Sequence, residues 1–177
     1  MVGFVAAWAI GGLAVDSYSA IDDAISRLAA VGSPVRWWMT AGFVAFGVGV
    51  SLFAQTLRTT LGGSAWIAAT VTALATLGVA ATPLGRYDRA HDVFAAIGYV
   101  SLAATPLLAS RELHRRGAGR AARWSVACGI ATALLLVASI TVAANGLTQR
   151  LGLGITDLWI VVAALAILRR PQDRPGP

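Results

Sequence analysis

His91 stands three residues after Asp88 and one before Asp92 in the stretch PLGRYDRAHDVF. An imidazole among carboxylates is the arrangement a general base or proton relay requires, because an anionic neighbour stabilises the protonated ring and fixes its tautomer. Two other polar stretches interrupt an otherwise apolar chain. DSYSAIDDAISRL, residues 16 to 28, supplies Asp22, Asp23 and Ser26, with three aspartates and three serines in thirteen residues. NGLTQRLGLGITDLW, residues 145 to 159, supplies Asn145, Gln149, Arg150 and Asp157. If the three stretches converge, His91 with Asp157 or Asp22 forms an acid–base set. Ser26, Asp23, Asp88, Asn145, Gln149 and Arg150 then surround it as binding groups. A catalytic zinc usually takes three histidine-rich protein ligands. These stretches hold one histidine, and the single cysteine, Cys128, excludes a CxxC motif. Neither a metal nor a cofactor is expected.

Each of these residues also has a structural account. Ser19 and Asp22 have the spacing of a capping box, and Asp23 can pair with Arg27 four residues on. Asp88 and Asp92 can pair with Arg86 and Arg89, or Asp92 can cap the helix that follows. Asp157, preceded by Thr156, reads as a first-turn acid that suits a helix dipole. If Asp157 lies below the lipid headgroups instead, it needs partners, and Arg150 and His91 are the natural ones.

The elements that carry these residues follow from composition. A mean hydropathy of +0.71 with 12% charged residues lies far from soluble proteins, where roughly a quarter of residues are charged. The sequence predicts an all-α integral membrane bundle in one domain, residues 1–177. Its six transmembrane helices are expected at about 2–18, 36–57, 63–82, 92–110, 122–145 and 155–168. The first is short and lacks a signal peptide's basic start; residues upstream, or a thin, tilted placement, are expected to complete it. Between spans one and two, Ile21, Ala24, Ile25 and Leu28 recur at helical spacing, which predicts a short amphipathic surface helix over 20–31, ended by Gly32 and Pro34. Ala41, Ala45 and Gly49 form a small-residue row suited to close packing. Trp37, Trp38 and Trp159 at one boundary and Trp66 and Trp124 at the other read as aromatic belts.

The net charge of +6 comes from 14 cationic residues, all arginine. Nine of them fall in the loops after spans two and four and in the C-terminal tail, against Glu112 and Asp173. The other five share their loops with six aspartates. By the positive-inside rule the nine-arginine side is cytoplasmic, together with both termini, in a prokaryotic plasma membrane. The basic run RELHRRGAGRAAR is then a topology anchor and not a nucleic-acid surface. His91 and the polar stretches form the rim of an outward-facing pocket.

YSAIDDAISRLAAVGSP followed by WWMTAGF, a lone histidine after span three, and GLTQRLGLGITDLWIVVAAL together resemble the bacterial and archaeal family catalogued as domain of unknown function 998. The likeness covers nearly the whole chain. It implies a six-helix membrane fold and carries over Tyr18, Ser19, Ile25, Ser26, Leu28, His91, Asp157 and Trp159, with more residues ahead of FVAAW than this chain has. It implies no reaction. Two readings remain open. One is a membrane protein whose outer pocket binds a lipid headgroup or small amphiphile. The other is an intramembrane enzyme acting on a lipid or isoprenoid by acid–base chemistry at His91 and Asp157 or Asp22. A transporter fits less well, since the spans hold few charges and the halves show no repeat.

Overall fold

The structure, a computed structural model, describes residues 2–169. Among them are six α-helices and no strand: α1 Val2–Leu13, α2 Arg36–Thr60, α3 Ala65–Ala81, α4 Asp88–Arg115, α5 Gly119–Ala138 and α6 Asn145–Leu168. Consecutive helices pack side by side, and α6 returns to touch both α2 and α4, closing the bundle. Four helices, α2, α4, α5 and α6, are long and apolar enough to cross a membrane. The other two of the expected six spans are shorter. At about 1.5 Å per residue, the 17 residues of α3 reach about 25 Å and the 12 of α1 about 18 Å, against a hydrocarbon core of about 30 Å.

Small residues set the helix spacing, at positions other than the expected row. Ala41 and Ala45 are exposed, and a Cβ at Gly49 would meet nothing within 4 Å. The contacts run instead through Gly42, whose added Cβ would lie 2.6 Å from that of Ala7, and Gly47, where it would lie 2.9 Å from Leu77. Gly129 brings α5 onto α4 at Leu107 and Ala103 in the same way. Hydroxyl pairs tie the interior: Thr72 donates to Ser101 across α3 and α4 at 2.9 Å, and Thr132 and Thr156 meet across α5 and α6 at 2.7 Å.

The third polar stretch is wholly helical. Spans expected at 122–145 and 155–168 leave 146–154 as a loop, but α6 begins at Asn145. Glycine breaks a helix in water, where nothing repays its lost entropy, yet inside a bundle it permits contact. Gly152 lies against Leu135 and Leu136, and Gly146 lies against the backbone of Ala20 and Asp23. Two expectations change with it. Asp157 sits midway along α6 rather than in its first turn. Trp159 is buried instead of belonging to a belt, edge-on to Phe53, and its Nε1 donates to Ser125 Oγ at 2.8 Å.

The expected surface helix over 20–31 is also different. Its helical part is a five-residue 3₁₀ turn, Ile25–Ala29, that is buried rather than lying on a surface: Ile25, Leu28 and Ala29 are all core residues, while Ile21 is exposed. Residues 20–24 are turns held by their own side chains. Ser19 Oγ donates to Asp22 Oδ2 at 2.7 Å and accepts from the Asp22 amide, while the Ser19 amide donates to Asp23 Oδ2 at 2.8 Å. Competing with backbone hydrogen bonds in this way is what aspartate and serine do outside helices.

Candidate functional site

The connection between α1 and α2 forms a strap across one end of the bundle, bound at both sides. On one side the Val31 amide donates to the Leu84 carbonyl in the α3–α4 loop at 2.9 Å. In that loop Gly85, at φ +82°, takes a left-handed conformation open to glycine, and its amide donates to Asp88 Oδ1 at 2.7 Å. On the other side the strap docks on the first turns of α6. The Leu147 amide donates to the Ile21 carbonyl, and the Ile25 amide donates to Gln149 Oε1 at 2.8 Å. Arg150 does the most. Its guanidinium donates to the carbonyls of Ala20 and Asp23 and to the Tyr18 hydroxyl, and it stacks on the rings of Trp8 and Tyr18. Burial pushes the Tyr18 phenol above its ordinary pKa against the opposing pull of Arg150, so the hydroxyl stays protonated as a dipole in this contact.

Two adjoining cavities lie beneath the strap. The larger, about 470 Å³, runs between α4, the end of α5 and the start of α6. The smaller, about 70 Å³, points into the bundle among Phe4, Phe43, Phe46 and Leu102. Ser26, His91, Tyr99 and Gln149 belong to the walls of both, and Asp92 and Asn145 to the larger alone. Polar groups therefore gather where the cavities meet, while the remaining walls are mainly apolar. Among the described residues no arginine lines either one.

His91 is 3% exposed, and its Nδ1 donates to the Thr82 carbonyl at 2.7 Å. A carbonyl only accepts, so the neutral ring carries its proton on Nδ1 and offers Nε2 as an acceptor. The tautomer is thus fixed by the Thr82 carbonyl just past the end of α3, where a carboxylate was expected. Gln149, 6% exposed, is held at both ends, because its Nε2 donates to the Tyr99 hydroxyl while Oε1 holds the strap.

The structure brings Ser26, His91, Asn145 and Gln149 together and leaves the expected acids apart. Asp22 is exposed and engaged with Ser19. Asp23 pairs with Arg27 at 2.9 Å. Asp88 caps Gly85. Arg150 holds the strap through backbone carbonyls and Tyr18, so it is no partner of Asp157. Asp157 is 6% exposed, lines neither cavity, and among the described residues its Oδ1 has no hydrogen-bond partner. Among the described residues no three histidine, cysteine or acidic side chains are placed to hold a metal. Sequence reasoning missed Tyr99, hidden in an apolar span. A signal existed, since His91, Ala95 and Tyr99 follow at steps of four along one helix.

Long apolar helices closed into one bundle have the length and hydropathy of a membrane protein. The chain belongs to the family described as "Protein of unknown function (DUF998)", which matches residues 1–166. No curated protein matches the chain, and no solved structure does.

Proposed function

We propose that this protein is a six-span membrane protein in a single domain, residues 1–177, that binds a membrane amphiphile beneath its strap. In this reading α1 and α3 complete the six spans, and the strap lies on the outer face of a prokaryotic plasma membrane. The arginine distribution supports that orientation. One observation carries the binding reading: Ser26, His91, Tyr99 and Gln149 stand together where two mainly apolar cavities meet. A small polar head finds hydrogen-bonding partners there, and a hydrocarbon tail finds apolar wall. The larger cavity's 470 Å³ falls within the roughly 300–1,000 Å³ usual for small-molecule sites. Binding is favoured over catalysis by the expected pairs because His91 meets a backbone carbonyl at Nδ1 and neither Asp157 nor Asp22 joins it in the lining, while Asp92, the acid that does, is exposed. An acid–base pair needs both members within hydrogen-bond reach of the reacting atoms.

The test is to extract the protein with its surrounding lipid into polymer-bounded nanodiscs and identify lipids enriched over the bulk membrane by mass spectrometry. An amphiphile is expected with the native protein. It should fall about threefold to tenfold in Ser26→Leu, the loss of one hydrogen bond, at unchanged thermal stability. Bulk lipid composition in both proteins would sink the binding reading.

A further inference from the structure

We infer that the ligand reaches the cavity sideways from the bilayer, through a groove between α4 and α5, and that it is an uncharged, hydroxyl-bearing lipid of the diacylglycerol class. The inference rests on the amphiphile-binding reading above and adds the route and the headgroup.

The route follows from how α4 and α5 meet. Gly129 seats α5 directly on Leu107 and Ala103, where no Cβ could intervene. Beyond that contact, toward the strap, α4 and α5 line the larger cavity with Ala95, Ala96 and Ala133 among larger side chains, and these three are too small to fill it. The rim of the larger cavity is apolar and open: Val100 is 73% exposed, Val137 59% and Ile140 76%. All three lie on or just past helices long and apolar enough to cross a membrane, α4 and α5. Acyl chains therefore border this opening, whereas the strap, bonded to both Leu84 and α6, roofs the aqueous side.

The headgroup follows from the charges at the polar end. A phosphate is normally met by arginine, lysine or an open helix N-terminus. The chain has no lysine, and among the described residues no arginine lines either cavity. The start of α6 borders the cavity, and two of its first four amides are already used, that of Leu147 by the Ile21 carbonyl and that of Thr148 by the Ala144 carbonyl. Among the described residues the one carboxylate or guanidinium in the lining is that of Asp92, which repels an anion. What remains is a hydrogen-bonding set: the Ser26 hydroxyl, the acceptor Nε2 of His91, and the Asn145 amide. The free hydroxyl of a diacylglycerol can donate its one hydrogen to His91 Nε2 and accept from the Asn145 amide, and it brings no charge into the cavity.

The full chain, reconstituted in phosphatidylcholine vesicles, would be exposed to two photoreactive lipids. These are a diacylglycerol and a phosphatidylglycerol with the same diazirine-bearing acyl chains, and labelled peptides would be mapped by mass spectrometry. Diacylglycerol is expected to label the Ala95–Val100 and Ala133–Val137 segments about tenfold more than phosphatidylglycerol does. Ala133→Trp, which fills the groove, should abolish that labelling. Ala96→Trp, on the exposed rim and therefore tolerated by the fold, should reduce it. Comparable labelling by phosphatidylglycerol overturns the headgroup assignment. Diacylglycerol labelling around Ser26 that persists in both tryptophan variants overturns the lateral route and leaves the binding reading standing. No labelling by either lipid in the native protein overturns both.

Discussion

Asp157 is the residue least explained by packing. It lies midway along α6, 6% exposed, with Oδ1 unpartnered among the described residues. A polar group buried without a hydrogen bond opposes folding by about 1–3 kcal/mol on protein mutational scales. Asp157→Leu is therefore expected to raise the unfolding free energy by about that amount, measured by denaturant titration in micelles. A loss of stability would reveal a favourable partner for the carboxylate. A gain would show that the fold carries this acid at its own expense, which is where functional roles are sought. Asp22 and Asp23 of the strap and Asp88 at the start of α4 are different in kind, since each satisfies a neighbour along the chain.

The strap and the first turns of α6 behave as one element because glycine and arginine alternate in function there. At Gly146 an added Cβ would stand 2.3 Å from the Asp23 carbonyl and 2.8 Å from that of Ala20. Gly146→Ala should thus lift the strap, destabilising the protein by about 1–3 kcal/mol, as overpacking does. Arg150→Lys should lift it too, although the charge is kept. An ammonium cannot lie flat against Trp8 and Tyr18 while donating to two carbonyls and a hydroxyl. Both variants are expected to speed tryptic cleavage at Arg27 and amide exchange at Ile25. Cleavage at the native rate in Arg150→Lys would mean that the Ile21 and Gln149 contacts alone hold the strap.

The whole molecule is asymmetric along its bundle axis. At one end the three aspartate-bearing segments meet, joined through Val31 and Leu84 and through Ile21 and Leu147. At the other end arginine dominates. Arg116 donates to the Thr60 and Leu61 carbonyls that end α2, and both it and Arg115 pair with Glu112. Gly117, at φ +75°, then turns the chain into α5. Positive charge resists translocation, so a cysteine at Gly117 on a Cys128→Ala background is expected to resist impermeant thiol reagents in intact cells, while one at Asp88 reacts. Labelling at Gly117 in intact cells would reverse the orientation and place the strap on the cytoplasmic face.

Hydropathy by itself determined that this chain is built mainly of apolar helices, and motif spacing determined its family, because both depend on residues close in sequence. Local spacing likewise revealed the Asp23–Arg27 pair and the reciprocal contact of Ser19 with Asp22. Only the tertiary structure decided what the glycines of residues 146–154 do. Whether such a glycine breaks a helix or admits a neighbour depends on the neighbour, and here Ala20, Asp23 and Leu136 lie far away in sequence. The same dependence moved Asp157 and Trp159 inward, made the predicted surface helix a buried 3₁₀ turn, and assigned Arg150 to the strap rather than to Asp157. It also gathered Ser26, His91, Tyr99 and Gln149 around shared space. A cavity is the volume that side chains from several helices fail to fill, and no single stretch of sequence encodes it.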